Sequence, residues 1–202
     1  MRAVNPVKEV RHIGLMGEEL AAFLNTLRAV DPRQFAAIEK SLRALVPQVE
    51  RIDVEPSALG EVELKFQESG VLIPARLVSE GTLRMLGLLA VASTTEPSTL
   101  IAFEEPENGI HPRRIRLLAE FLRTRTQMGG TQFVVTTHSP LLPDLLPPES
   151  LYVCQRTDSR TAIKPFADMG PLFKHEAIER GLDDREEAVP VSERVLRGNF
   201  DA

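Results

Sequence analysis

An α/β fold, in which a mostly parallel sheet is covered by helices, is the class this sequence predicts. Two short apolar runs, 99–103 and 132–136, carry the strand signal. They are separated by a segment of helical periodicity, the layout of a strand–helix–strand crossover between parallel neighbours. A third observation is the segment from Gly81 to Ala92, in which Leu83, Met85, Leu86, Leu88, Leu89 and Val91 leave little polar surface. A helix of that kind is buried on more than one side, as helices against a sheet are.

The elements follow in chain order. Leu20, Phe23, Leu24, Leu27 and Val30 recur at helical spacing and predict a helix over 17–30. Asp31 then reads as an N-cap, with Pro32 at the first helical position. The helix it opens turns Phe35, Ile38, Leu42 and Leu45 inward and stops before Pro47. Val49 to Pro56 and Val62 to Phe66 alternate like strands around the turn Ala58-Leu59-Gly60, and Val71 to Ile73 add a short third. After the apolar helix and the strand 99–103, a helix begins behind His111-Pro112. It runs to about Met128, where Gly129-Gly130 stops it. The strand 132–136 is followed by a short helix opened by Ser139-Pro140. Leu151 to Gln155 and Thr161 to Phe166 read as a hairpin around Thr157-Asp158-Ser159. The charged tail from Asp183 is expected to be weakly ordered as far as Val195-Leu196.

Composition narrows the classes. The 202 residues suffice for one domain or slightly more, with 43% apolar and 26% charged residues as in ordinary globular proteins. The formal net charge of −5 supplies no overall basic field for nucleic acid. Cys154 is the single cysteine, so no internal disulfide forms, which fits a cytoplasmic location. In a strand it is expected to be a small core residue. No apolar run reaches the length of a membrane span, and the N-terminus has no signal-peptide pattern, so no membrane partner is expected.

Chemistry concentrates where the strands end. The run Leu100-Ile101-Ala102-Phe103 stops in Glu104 and Glu105. A strand delivering acids at its C-terminal tip is how nucleotide hydrolases hold Mg²⁺ and prepare a water. A solvated strand end is the plain alternative, but paired acids followed by Pro-Glu-Asn-Gly favour function. Glu104 is then placed near the metal and Glu105 as general base. Ser79-Glu80-Gly81 opens the apolar helix. It serves as an ordinary cap, or presents amides and a hydroxyl to phosphate oxygens. His138, at the exit of the second strand, is a donor to a γ-phosphate oxygen or a holder of the water, against the alternative of an exposed histidine. His111 caps its helix or meets a partner subunit, and Asn108-Gly109 is a turn dipeptide first. Arg113, Arg114, Arg116, Arg123 and Arg125 read as a solvated helix face.

Together these motifs resemble the C-terminal half of an ABC-type ATPase head, closest to the soluble branch of structural-maintenance-of-chromosomes (SMC), RecF-like and OLD-like ATPases, often described as AAA ATPases. Val78-Ser79-Glu80-Gly81-Thr82 resembles the signature motif. Leu100-Ile-Ala-Phe-Glu-Glu-Pro resembles the Walker B strand, Glu107-Asn-Gly-Ile-His-Pro the D-loop, and Thr136-Thr-His-Ser-Pro the switch histidine. The closing Glu193-Arg-Val-Leu-Arg-Gly-Asn-Phe resembles the end of such proteins. The resemblance implies a P-loop NTPase-like fold, with residues 1–77 as an arm-side helical and β region and residues 78–202 as the ATPase core with hairpin and tail. Two departures stand out. Glu104 occupies a position where the family has Asp. No Gly-x-x-x-x-Gly-Lys-Ser/Thr loop occurs in the sequence, so the amide cradle and lysine for the β- and γ-phosphates are absent from it.

By resemblance, ATP and Mg²⁺ are the cofactors, with Glu105 and His138 catalytic and Glu104 at the metal. Ser79, Glu80, Gly81, Asn108 and His111 contact nucleotide, Ser79 and Gly81 serving one held by a second head. The implied partner is that second head, in a homodimer or a split assembly, with DNA contact left to the full assembly. The function implied is ATP hydrolysis in a dimer or with a Walker-loop lobe supplied elsewhere, in a setting such as DNA repair or phage defence. The chain alone is expected to bind ATP weakly and to hydrolyse it slowly or not at all. The alternative is a non-catalytic regulatory fragment that keeps the fold. A transporter subunit is a third reading, which the Glu107-Asn-Gly-Ile-His-Pro loop fits less well.

Overall fold

The computed structural model describes residues 1–14, 17–93, 98–166 and 190–196. The chain divides into two compact units, Met1–Thr137 and His138–Ala202.

In the first unit, helix α1 (Leu20–Val30) buries Leu20, Ala21, Ala22, Phe23 and Leu24. Its far end leaves the core, and Val30, expected inside, is 76% exposed. The stripe that places Leu20 and Leu24 inward carries a residue at the last turn around to the solvent side. Helix α2 (Pro32–Leu45) begins as expected: the Asp31 carboxylate accepts from the Gln34 amide at 3.0 Å, and Pro32 fills a position that needs no donor. Phe35, Ile38, Leu42 and Leu45 are all buried.

Strand β1 (Asn5–Pro6) pairs antiparallel with β3 (Glu61–Val62). Strand β2 (Arg51–Asp53), β4 (Lys65–Glu68) and β5 (Val71–Pro74) form a separate antiparallel sheet in the order β2-β4-β5. The alternating run 62–66 is thus two strands, because the chain changes sheets across Glu63-Leu64, and the strand expected over 49–56 is confined to 51–53. Helix α3 (Glu80–Val91) is buried nearly all round, as its composition requires.

Strands β6 (Leu100–Glu104) and β7 (Gln132–Thr136) are parallel neighbours in the register Leu100↔Gln132 to Glu104↔Thr136. Helix α4 (Ile115–Gln127) connects them after a single 3₁₀ turn, Pro112–Arg114. It ends before Gly129 and Gly130, whose φ of 81° and 85° is the left-handed stop expected of the pair. Ile101, Phe103, Phe133 and Val135 share the inner face, while Leu100 (55% exposed), Ala102 and Val134 (50% exposed) share the outer one. The outer face thus meets solvent at these residues. The remaining strands among the described residues pair antiparallel.

In the second unit the expected hairpin is present as β8 (Tyr152–Thr157) and β9 (Arg160–Pro165), turning at Asp158 with φ 55°. Cys154 is exposed rather than in a core, because it lies on a face of this two-stranded hairpin where its register partner Ile163 is exposed as well. Ser139-Pro140 does not open an α-helix. The Ser139 hydroxyl accepts from the Leu141 amide at 3.2 Å, and a 3₁₀ turn follows at Pro143–Leu145. Helix α5 (Val191–Leu196) ends the described chain, and the segment 183–189 of the expected tail lies outside the described residues. Among the described residues no helix is long and apolar enough to cross a membrane.

Candidate functional site

Strand β6 carries Glu104 to the open end of the parallel pair. Alternation puts its side chain, exposed, on the outer face with Ala102. Glu105 is the first residue beyond the strand. Its amide still donates to the Thr136 carbonyl at 2.8 Å, so the acid is tied to the exit of β7. Its backbone is left-handed, φ 45°, a conformation that costs a non-glycine residue about 1–2 kcal/mol. Such strain persists only where the surroundings over-determine it, and it clusters at functional sites. The surroundings are visible here: the Asn108 side-chain amide donates to the Glu105 carboxylate, and the Asn108 backbone amide donates to the Glu105 carbonyl at 3.1 Å.

The loop then turns back on α3. Gly109 adopts φ 83°, and a Cβ on it would lie 2.6 Å from the Gly81 Cα. A Cβ on Gly81 would meet the Asn108 carbonyl oxygen and the Gly109 Cα at the same 2.6 Å. Two glycines are required here because the start of α3 and the acid loop meet backbone to backbone. Gly81, in the helix that Ser79 caps, is thereby brought beside Asn108.

Ser79 is the N-cap of α3, its hydroxyl accepting from the Thr82 amide at 3.2 Å and lying 2.8 Å from the Thr82 hydroxyl. Glu80, in the first turn, faces Arg84 at 3.6 Å, a surface pair of little energetic weight. Arg2 supports this helix start from the N-terminal segment, donating to the carbonyls of Arg76 at 3.1 Å and Val78 at 3.3 Å. His111 caps its turn, Nδ1 accepting from the Arg113 amide at 3.3 Å. His138 is exposed and is the first residue of the second unit, two positions beyond the end of β7.

Two of the five arginines work within the fold. Arg114, at the end of the 3₁₀ turn, donates to the Ala44 carbonyl at 2.5 Å, and Arg125 donates to the Ser93 hydroxyl at 2.7 Å while lying over Phe121. Arg116 pairs with Glu120 on the exposed face, as expected. The residue that sequence reasoning did not single out is Glu107. It is 7% exposed, and its carboxylate accepts from the Thr137 hydroxyl. No local signal marks it, since the burial comes from its contact with a residue 30 positions away.

A family model described as "AAA domain, putative AbiEii toxin, Type IV TA system" matches residues 10–144. No curated protein sequence matches the chain. Solved structures do. One, from work on ATP-driven dimerization and DNA-stimulated activation of SMC ATPases, is 14% identical with a TM-score of 0.54; the match covers 78% of this chain and 96% of that one. An SMC head bound to the C-terminal winged-helix domain of ScpA is 16% identical with a TM-score of 0.53, covering 75% and 46%. An SMC head domain with an extended coiled coil, bound to the C-terminal domain of ScpA and derived from Pyrococcus furiosus, is 13% identical with a TM-score of 0.54, covering 78% and 39%. The chain thus spans nearly all of the first and less than half of the other two. At these identities the likeness establishes the fold, that of an SMC ATPase head.

Proposed function

Because the chain belongs to this AAA-domain family and is of general ATPase type, we propose that it is the acid-bearing half of an ATP-hydrolysing head that works when a Walker-loop lobe completes it. The observation that carries the reading is the left-handed Glu105 at the exit of a parallel strand, its carboxylate oriented by Asn108. A second observation supports completion from outside. Parallel sheets are stable when both faces are covered, and the outer face of β6–β7 carries half-exposed Leu100 and Val134.

The residues suit Mg²⁺ in one way. Glu104 and Glu105 are hard oxygen donors, and among the described residues no group of three or more His, Cys, Asp or Glu side chains forms a cage. Mg²⁺ is ordinarily held by one or two carboxylates together with substrate phosphates. Glu104 is the residue that would hold it, and the ion would neutralise charge on the phosphates. The chain's own residues do the rest. Glu105 orients the attacking water and takes its proton at the carboxylate. His138 donates to a γ-phosphate oxygen. Ser79, Glu80, Gly81, Asn108 and His111 contact nucleotide, Ser79 and Gly81 serving one held by a second head. The phosphate cradle itself is not encoded in this sequence, so the chain alone should show weak ATP binding and background hydrolysis.

The setting we favour is a toxin–antitoxin system, which the family's description names. With a net charge of −5 on this chain, any DNA contact belongs to the full assembly. The test is co-expression with Gly-x-x-x-x-Gly-Lys-Ser/Thr lobes from the same genome, followed by phosphate-release assays. Turnover should appear only in the mixture and should fall to background in Glu105→Gln. A complex that forms but shows no Glu105-dependent turnover would leave the non-catalytic interaction reading instead.

A further inference from the structure

We infer that Glu107 is a positioning residue: through Thr137 it locks the acid loop to the exit of β7 and so holds Glu105 in its working conformation. The inference rests on the ATPase reading for its purpose and on geometry for its content.

Among the described residues Glu107 is the one buried acid. Burying a carboxylate is unfavourable unless donors surround it. A residue with no task there would be expected to turn outward, as Glu104 does three positions earlier. Glu107 instead turns inward and accepts the Thr137 hydroxyl hydrogen on Oε1, a bond that joins residues 30 apart in the chain. Its Oε2 has no hydrogen-bond partner among the described residues.

The partner's place gives the bond its meaning. Thr137 directly follows β7 and directly precedes His138. The same two segments are already joined once, by the Glu105 amide on the Thr136 carbonyl at 2.8 Å. One backbone bond fixes the separation of the two strand exits but leaves the loop free to rotate about it. A second bond, further along both segments, removes that rotation. Between the two ties lies Glu105 at φ 45°, a backbone that relaxes readily if its frame loosens. The Ile110 amide on the Glu107 carbonyl at 2.9 Å continues the same rigid turn toward Gly109 and its contact with Gly81. Glu107 therefore sits where the acid loop, the exit of β7 and the start of α3 are held together.

The test compares Glu107→Ala, Glu107→Gln, Thr137→Val, Thr137→Ser and the double variant Glu107→Ala/Thr137→Val. Amide hydrogen exchange on the chain itself is the first readout. Glu107→Ala and Thr137→Val should each speed exchange over 104–110 by about tenfold, the size of one lost hydrogen bond. The double variant should go no further than either single one, since both remove one bond. Thr137→Ser and Glu107→Gln keep a donor and an acceptor and should stay near the parent, and exchange in α1 and α2 should not move. Exchange over 104–110 that is unaffected by Thr137→Val, or a rise spread over the whole unit in that near-isosteric variant, would overturn the inference.

The second readout is the completed head. There kcat should fall by about a hundredfold in Glu107→Ala and Thr137→Val at unchanged KM, with Glu107→Gln restoring most of it. Turnover that ignores Glu107→Ala while Glu105→Gln abolishes it sinks the inference and spares the ATPase reading. Turnover that survives Glu105→Gln sinks the ATPase reading, and hydrogen exchange alone then decides whether Glu107 holds the loop.

Discussion

Among the described residues, the helices α1 and α2 with strands β2 and β4 bury a continuous core, whereas the parallel pair β6–β7, in the same unit, keeps one face in solvent. In the first region Leu20, Leu24, Ile38, Leu42, Ile52 and Phe66 are almost wholly out of water. The sheet there is antiparallel and needs cover on one face only. In the second region a two-stranded parallel sheet has an inner face against the unit and an outer face left open at Leu100 and Val134. The contrast separates two kinds of apolar residue: those already buried within the unit, and those that meet solvent on a sheet face.

Three substitutions sharpen that contrast. The largest effect is expected from Leu42→Ala in the first region. Leu42 has no exposed surface, so truncation should cost about 3 kcal/mol, read as a lowered denaturant midpoint. A cost below about 1 kcal/mol would mean that α2 is not part of a tight core. Next comes Asp31→Ala, which removes the N-cap of α2 and should cost about 1 kcal/mol by the same measurement. The smallest effect is expected from Leu100→Thr with Val134→Thr on the open face. The isolated chain should keep its stability to within about 0.5 kcal/mol, because those side chains already meet water. The same double variant should lose the Walker-loop lobe in size-exclusion chromatography. A large loss of stability in the isolated chain would show that the face is covered after all.

The first region is also the more legible one. The Asp31-Pro32 start and the stripe Phe35, Ile38, Leu42 and Leu45 are local signals, and the helix follows them to its last residue. The strand 132–136 and the Gly129-Gly130 stop are equally readable, since β-branched runs and left-handed glycines act within a few residues. What the sequence hides depends on distance. The exposure of Val30 and Cys154 depends on what packs over them, which no local pattern states. Ser139-Pro140 carries a valid cap signal, but the hydroxyl closes a tight turn at Leu141 and Pro143 starts a 3₁₀ turn instead. In the candidate site, the acids and the Asn108-Gly109 turn are visible as motifs. The left-handed backbone of Glu105, the Gly81–Gly109 approach and the burial of Glu107 are not, because each is made by two segments meeting from far apart in the chain.

The exposed Cys154 carries a practical consequence. The sequence contains one sulfhydryl, and the fold presents it on a hairpin strand in the unit that does not hold Glu104 and Glu105. A maleimide fluorophore or nitroxide will therefore label these 202 residues at a single known place, with no cysteine-free background to engineer. Tumbling of that reporter gives a direct readout of assembly, taken well away in sequence from every residue whose substitution is to be compared.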